Sequence, residues 1–586
     1  MEARSDAINI CEKSIDQVGQ SVEVGNEHRA DEKARTKLEN LPLPLIHHIM
    51  DCLSPKDSNK FSILSKTFNS SWLTYPVLHF DNVLFPIQDP HAFNAFVHRY
   101  FQQRAPHILR CLHKLRFYYK VQLSSIFCDF QPLVTELLYF ASHNNCKVVD
   151  VEVDMITRFL SIPYNALHPM LSSEFITTLK LSGFTLLIPN PVITCPALKL
   201  LSITFCTGLQ TLHVVSLSLV EVEIIRCQEL KSVIVESDEI ECFKFAGVRR
   251  SIINAIQPCD ISITLAANQC LKSMYLENVI VSEALMVVAT KILHILCSNL
   301  PKNMRIYNPN VEILQLENCG VMENLVVCAP NVECFEYSQG AIITDGWVKS
   351  IVSALACLEE LKIIKCDMLE KIEFKNARLE TLVVEGCSKL KAAMVDAPNL
   401  LHFTYSGSVD IYPLLILSTN CNANIKLQHY SPHYIPDDWF PRLSRFLSCF
   451  DHFNVITISC VYAIALIFPR EFVLTNMVSP LHDVKHVIVK VGEILMGRDV
   501  PSLVESLLWL AHKPDILTLE SSVTGKKNTI KFQYEWNGRK MDKEEDNCCV
   551  GLLIKCWRHY DLNIEYEGFG DNNGGDQLRE FFASYL

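Results

Sequence analysis

Glycine is scarce in this chain, 19 in 586 residues, and an excess of positive charge is missing: 53 lysines and arginines face 65 aspartates and glutamates, a formal charge of −12. So little glycine excludes a collagen-like chain, and 49% apolar with 20% charged residues is ordinary globular composition. The acidic balance argues against nucleic acid as a partner, because such binders present a basic face. None of the 24 cysteines forms a Cys-x-x-Cys pair, which excludes zinc ribbons and thioredoxin-like motifs. Met1–Asn40 is polar and acidic and holds no apolar run that could serve as a signal peptide. The most continuous apolar stretch, Val461–Phe468, has eight residues, against the ~20 of a membrane span. No membrane association is expected, and the thiols are expected to be reduced in cytoplasm or nucleus. The length exceeds the ~100–200 residues of a common domain, so either several domains or one repeat array is implied.

A repeat is what the chain has instead. The phrase apolar-x-x-apolar-x-apolar, often followed by x-x-Cys-x-x-Leu, reads Leu198-Leu201-Ile203-Cys206-Leu209 and Leu219-Val222-Ile224-Cys227-Leu230. It returns as Val311-Leu314-Leu316-Cys319-Met322, Leu358-Leu361-Ile363-Cys366-Leu369 and Leu379-Leu382-Val384-Cys387-Leu390. Units without the cysteine begin at Ile240, Val332 and Leu400, and the steps 198 to 219 to 240, 311 to 332, and 358 to 379 to 400 are each 21 residues. Three of the cysteine units precede an aromatic unit ending in glycine: Phe243-x-Phe245-Ala-Gly247, Phe335-x-Tyr337-Ser-Gln-Gly340 and Phe403-x-Tyr405-Ser-Gly407.

This spacing is that of a leucine-rich-repeat solenoid. The last apolar residues of each phrase alternate on one side of a short strand and point into the stack. Strands of successive turns then pair ~4.8 Å apart as a parallel sheet on the concave face. The expected fold class is α/β, a right-handed solenoid behind a small helical module. Cys206, Cys227, Cys319, Cys366 and Cys387 fill the slot where each strand ends, and are read as small buried hydrophobes. A turn of 21 residues leaves little room for a convex helix. A second phrase eleven residues on, Leu209-Leu212-Val214 and Leu230-Val233-Val235, predicts extended or short helical-turn segments there. Earlier, wider-spaced strands around Leu115, Val151 and Leu179 are expected to alternate with helices carrying Phe93, Val97, Tyr100 and Phe101, then Leu133, Val134, Leu137, Leu138 and Ala141.

Residues 38–82 read as three short amphipathic helices. Pro42 and Pro44 open the first, with Leu45, Ile46, Ile49, Met50 and Leu53 on its apolar side. Pro55 breaks it, Asp57 or Ser58 is expected to cap a second helix carrying Phe61, Ile63 and Leu64, and a third carries Phe68, Trp72 and Leu73. Such a core is too small to stand alone, which marks an interaction module. The motifs Leu41-Pro42-x-x-Leu45-Ile46-x-x-Ile49, Leu53-Ser54-Pro55-Lys56-Asp57, Ser62-Ile63-Leu64-Ser65-Lys66 and Trp72-x-x-x-Pro76 resemble a plant F-box. Later phrases, WFPRLSRFLSCF (439–450), LVESLLWLAHKPDILTL (503–519) and KCWRHY (555–560), are similar to plant F-box/leucine-rich-repeat proteins. The resemblance implies a substrate receptor of a Skp–cullin–F-box ubiquitin ligase, with the F-box on the Skp-type adaptor, cullin reached through it, and a protein target on the repeats. Carried over by motif position, Leu41, Pro42, Leu45, Ile49, Leu53, Leu64 and Trp72 form or support the adaptor surface. Pro44, where the family has an acidic residue, and Thr67-Phe68, in place of its Arg-Trp, depart from the pattern and leave open a ubiquitin-independent repeat scaffold.

The expected division is an N-terminal extension without structure (1–37), the F-box (38–82), the solenoid (83–430) and a C-terminal irregular repeat or cap region (431–586). A target is expected on the outward positions of the concave sheet, among them Glu221, Glu223, Lys244, Glu317, Glu336, Glu360, Lys362 and Glu385, with Ser202 and Thr404 beside them. Acids outnumber bases six to two, and with two lysines no phosphate cofactor is expected. His429 and His433 flank Pro432 and read as a loop, not a metal site. Gly568-x-Gly570 lacks the third glycine of a dinucleotide site. Asn69-Ser70-Ser71 matches a glycosylation sequon inside a helix. No nucleophile–base pair and no phosphate loop is found, so no cofactor, metal or catalytic residue is expected.

Overall fold

The computed structural model describes residues 38–85, 87, 89–120, 130–154, 160–162, 164–248, 250–252, 255–257, 262–265, 270–279, 291–296, 303–318, 324–339, 344–418, 420–427, 435–475, 479–492, 499–536, 557–569 and 574–584. The chain forms two compact units, one through Tyr75 and one from Pro76.

The first unit is three helices, α1 (Leu43–Cys52), α2 (Pro55–Phe61) and α3 (Lys66–Thr74). Prolines start the first two, where the absent N–H would have no helical partner. The second helix is capped by Ser54, whose Oγ accepts the Asp57 amide at 3.1 Å, and not by Asp57 or Ser58. It ends at Phe61, so Ile63 and Leu64 lie in the following turn rather than on a helix face. Ile46, Met50, Phe68, Trp72 and Tyr75 form the buried core, with the Phe61 and Phe68 rings 4.1 Å apart.

The second unit is built on a long sheet of twenty strands among the described residues. Its N-terminal strands are β1 (Val77–Asp81), β2 (Lys114–Lys120), β3 (Val148–Asp154), β4 (Thr178–Ser182) and β5 (Leu200–Thr204). Next come β6 (Glu221–Ile225), β7 (Cys242–Ala246), β8 (Ser273–Glu277), β9 (Ile292–Leu296) and β10 (Ile313–Glu317). Then follow β11 (Cys334–Ser338), β12 (Glu360–Ile364), β13 (Thr381–Glu385), β14 (His402–Gly407) and β15 (Asn422–Leu427). The last are β16 (Val455–Cys460), β17 (His486–Val491), β18 (Ile516–Ser521), β19 (Lys527–Trp536) and β20 (Tyr560–Glu567). Each pairs with the next in sequence. All pairings to β18 are parallel, and β19 and β20 add an antiparallel hairpin. Val77–Asp81, inside the span given to the helical module above, is thus the first strand of this sheet.

The 21-residue step is visible in the register: Leu200 pairs with Glu221 and Glu221 with Cys242, Ile292 with Ile313, and Glu360 with Thr381. In these coils the return path is a second strand. Thr211–Val215 pairs with Ser232–Glu236, Asn303–Tyr307 with Asn324–Cys328, and Lys371–Lys375 with Ala392–Asp396. The core lies between the two layers, where Leu382, Val384, Phe403 and Tyr405 meet Ala393, Val395, Leu414 and Ile416. Each fully buried Leu, Val or Phe here contributes ~1.5–3 kcal/mol.

The long coil from β7 to β8 also returns along a strand, Ser262–Leu265, but other long coils carry helices: α4 (Pro90–Arg104), α5 (Gln131–His143), α6 (Tyr164–Leu171), α7 (Asp345–Ala354), α8 (Trp439–Leu447), α9 (Arg470–Thr475) and α10 (Asp499–Leu510), with α11 (Gly574–Ala583) after the hairpin. The coil from β11 to β12 shows why, since Cys334 pairs with Glu360 rather than with a residue 21 positions on. Helix α7 there sits between the back strands Asn324–Cys328 and Lys371–Lys375, touching both. A helix rises ~1.5 Å per residue and a strand ~3.3 Å. Ten helical residues therefore cover what five extended residues do, and the coil grows from 21 to 26.

Candidate functional site

On the first unit, the helix register divides the residues carried over from the motif into two sets. Ile46 and Met50 turn inward, so Leu45, one position away, faces out at 50% exposure, with Pro42 exposed beside it. Leu64 stands out at 70% and its neighbour Ile63 at 79%. Leu41, Ile49 and Leu53 are half-buried. Trp72 is 5% exposed and therefore supports the surface from the core rather than forming it. The motif assignment missed Leu38, Leu43 and Ile63, all exposed apolar residues on a unit of about forty described residues. The signal was present in helix periodicity for Leu43, but Ile63 was misplaced onto a helix face. Of the departures, Phe68 fills the core against Phe61, and Pro44 sits in the first turn of α1, where proline is tolerated. Neither disturbs the three-helix fold. Asn69 of the sequon lies within α3.

On the second unit, the strand pleat sends alternate residues of the long sheet outward. All eight charged residues expected there do lie on that face, but in three rows. Glu223, Lys244, Glu336 and Lys362 belong to the central row, Glu221 and Glu360 to the row before it, and Glu317 and Glu385 to the row after it. Ser202 is nearly buried because Glu223 covers it, accepting its hydroxyl at 3.0 Å. Lys244 Nζ lies 2.9 Å from Glu223, and Lys362 Nζ lies 2.9 Å from Glu360. Partial burial opposes ionisation of Glu223, yet the bonds from Lys244 and Ser202 outweigh it and hold the carboxyl below its ordinary range. Glu360 is lowered in the same way, burial being outweighed by bonds from Lys362 and from the Cys334 thiol at 3.1 Å. Burial, with the Glu360 carboxylate beside it, pushes that thiol up to about 12, so Cys334 is a donor here and not a nucleophile. Lys426 also pairs with Glu385, and His294 approaches Glu317 at 4.0 Å. The strands that carry both follow steps other than 21 residues, and the sequence reading did not place them on this face.

The repeat cysteines lie behind the sheet. Cys206 Sγ donates to the Thr204 carbonyl at 3.3 Å and Cys227 Sγ to the Ile203 carbonyl of the preceding strand at 3.3 Å. Cys366 and Cys387 are equally buried and bond to backbone carbonyls in the same way. Burial pushes the Cys206 thiol up to about 12 and raises Cys227 as well. Cys319, His429, His433 and Gly570 fall outside the described residues. Among the described residues, no group of His, Cys, Asp and Glu could hold a metal, and no helix is long and apolar enough to cross a membrane.

Comparison with known proteins separates the same two parts of the chain. Residues 38–80 match the F-box domain family, and residues 307–460 match the family described as At1g61320/AtMIF1, LRR domain. The F-box/FBD/LRR-repeat protein At3g56780 of Arabidopsis thaliana is 28% identical over 171 residues, a match that spans 28% of this chain and 35% of that relative. Families of this kind are typically non-catalytic adaptors. The three helices of the first unit thus carry an F-box domain and the parallel sheet of the second a leucine-rich-repeat domain, and in this combination the chain resembles plant F-box/leucine-rich-repeat proteins.

Proposed function

We propose that the chain is the non-catalytic substrate-recognition subunit of a Skp–cullin–F-box ubiquitin ligase, working in cytoplasm or nucleus. Its F-box docks a Skp-type adaptor, and its long sheet holds a protein for ubiquitination. The observation that carries this reading is the outward exposure of Leu45, Ile63 and Leu64 on a helical unit that already has a packed core of its own. Apolar residues that a fold does not use internally are what a partner buries, and a few of them dominate the affinity of an interface. Leu45→Asp together with Leu64→Asp should lower capture of a purified Skp-type adaptor at least tenfold, about 1.4 kcal/mol or more, while circular dichroism stays unchanged. Equal capture by variant and wild type would sink the adaptor role and leave a repeat scaffold independent of ubiquitin.

A further inference from the structure

At the N-terminal end of the long sheet, charge is divided along the strands. Over β2 to β5 the central row and the row before it hold Lys114, Arg116, Asp150 and Lys180. One position earlier, where the chain enters each strand, come His113, Lys147, Thr177 and Lys199. They form a ladder in which each later amide donates to the carbonyl of the one before, at 3.0, 2.8 and 2.8 Å. These positions carry five bases and one acid, +4 with the histidine neutral. Past the central row the sign reverses, where Glu152 and Asp154 face Lys120 and leave −1.

The positive side is not neutralised from within. Asp150 holds Arg116 at 3.3 Å, but among the described residues Lys114, Lys147, Lys180 and Lys199 enter no ion pair. Glu223, two strands from Lys180 in the central row, is taken by Lys244 at 2.9 Å, and Glu221 on β6 bounds the patch there. On the turns leading into the four strands, Arg110 offsets the lone carboxylate, Glu174. Burial lowers His79 on neighbouring β1, and Arg116 and Lys114 push it the same way against Asp81. The same turns leave Leu109 57% and Phe175 47% exposed, apolar surface of the kind a partner covers.

Size and field choose the occupant. Strands ~4.8 Å apart place β2 and β5 ~14 Å from each other, about four residues of extended chain at ~3.3 Å each. Lys147 and Lys199, two strands apart, match the ~10 Å between residues i and i+3 of such a segment. A nucleic acid would carry further phosphates past this short patch onto Glu221, Glu152 and Asp154, whereas a protein segment can place its acids on the patch alone. The chain as a whole carries −12 and repels acids at long range, so the lysines reverse that preference only on contact, within the ~8 Å that salt leaves unscreened.

We propose that the strand-entry side of β2 to β5 is a target-recognition surface, and that it takes a short extended segment of a partner protein in which aspartates or glutamates accompany apolar residues. This rests on the reading that the long sheet holds the target, and it names the chemistry of that target. Carboxylates of the segment reach Lys114, Lys147, Lys180 and Lys199, and its apolar residues cover Phe175 and Leu109.

The full chain should be titrated with two labelled synthetic hexapeptides, Glu-Leu repeated three times and Lys-Leu repeated three times, with fluorescence anisotropy as readout. The acidic peptide should bind at least tenfold more tightly than the basic one, the reverse of what the net charge favours, and should weaken as salt rises. Lys147→Glu together with Lys199→Glu should lose at least tenfold for the acidic peptide, whereas Lys389→Glu, at an exposed lysine of a later coil, should lose less than twofold. Equal binding of the two peptides by wild type, or equal binding of the acidic peptide by wild type and double variant, would overturn the proposal. A labelled twelve-nucleotide oligothymidylate that binds more tightly than the acidic peptide, and is lost in the double variant, would overturn the protein occupant in favour of nucleic acid. If the double variant fails to fold, Lys147→Gln together with Lys199→Gln is measured in its place. Adaptor capture measured in parallel separates this proposal from the ligase reading. Capture retained without peptide preference overturns the surface alone, and preference retained without capture upholds the surface while the ligase role falls.

Discussion

The coils between β5 and β7 and those at the N-terminal end of the sheet solve one problem in two ways. Both must bring the chain back to the next parallel strand, and both bury the same inward pair on it, Leu201 and Ile203 of β5 as much as Leu179 and Leu181 of β4. The 21-residue coils return along a strand and so share backbone hydrogen bonds in two layers. The coils before β4 return through helices α4 and α5, which satisfy their own backbone and bury a side-chain stripe such as Leu133, Val134, Leu137, Leu138 and Ala141. The backing layer thus changes from helix to strand along the chain, and strands back even the long coil from β7 to β8, where Ser262–Leu265 pairs with Ser232–Glu236, while the front sheet runs on unchanged.

If the backing layer is interchangeable, core residues in both kinds of coil should weigh the same. Phe403, 2% exposed in a strand-backed coil, and Trp439, 1% exposed on α8, should each cost ~3–5 kcal/mol on replacement by alanine. Trp439→Ala also strands the Ala465 carbonyl, which now accepts Trp439 Nε1 at 2.9 Å. Repeat arrays open locally, so the measurement is hydrogen exchange of the β14 and β16 amides rather than one melting temperature. A difference above ~2 kcal/mol between the two would break the equivalence.

The two regions differ most sharply at the residue just after each strand. That residue takes a left-handed backbone at Gly183, Phe205, Arg226, Asn278, Asn318, Gln339, Lys365 and Gly386. Its amide donates across to the next strand's last carbonyl, as Phe205 does to Ile225 at 2.7 Å and Lys365 to Glu385 at 2.7 Å. Strand β3 runs two residues longer than β4, and a Cβ at Gly183 would lie 1.9 Å from the Val153 carbonyl oxygen. At Gly386 the nearest atom is the flexible Lys365 Cγ, at 3.1 Å. Gly183→Ala should cost about 3 kcal/mol, from the left-handed penalty and the overlap together, and Gly386→Ala about 1 kcal/mol. Matched denaturant midpoints for the two variants would contradict this account of the longer strand.

Histidines of the central row probe the electrostatics of the same two regions. His79 on β1 is pushed down to about 4 by burial and by Arg116 beside it. His294 on β9 is lowered by burial too, but Glu317, Glu336 and Glu277 oppose the shift. An unfolded histidine binds its proton near pH 6.5, so between about 4 and 6.5 the unfolded chain holds more protons than the folded one at His79. Stability contributed there falls on acidification through that window, and His79→Phe should flatten the loss by on the order of 1–2 kcal/mol, discounted for the part of the ring that water reaches. Titration of labelled imidazoles should show His79 ionising below His294, and Glu317→Gln should lower His294 further.

The sequence made the front of the molecule legible and the back only in outline. Inward positions such as Val222, Leu314 and Leu382 follow from period two, and the 21-residue step follows from identical coils. The helix at Asp345–Ala354 escaped notice because it lies between two otherwise regular units and lengthens one coil by only five residues. Lys426 and His294 were not seen as neighbours of Glu385 and Glu317 because their strands sit after steps that break the period. On the F-box, the motif identified Leu45 and Leu64, while burial of Trp72 and exposure of Ile63 depended on where α2 stops.

The smallest effect tests the left-handed position in its purest form. Lys365 holds φ at 52° although it carries a Cβ, its side chain is exposed, and its amide bond to Glu385 needs only backbone. Lys365→Gly removes the ~1–2 kcal/mol strain of that conformation but adds unfolded-chain freedom worth ~0.5–1 kcal/mol, so a net gain of up to about 1 kcal/mol is expected. Arg226→Gly should gain less, because the Arg226 guanidinium sits 5.6 Å from the Phe205 ring and that contact is lost with it. Slower exchange of the β13 amides in Lys365→Gly, with little change around β6 in Arg226→Gly, is the expected pattern. Destabilisation by Lys365→Gly would mean that the lysine stem, and not the backbone ladder, holds the coils together at this edge.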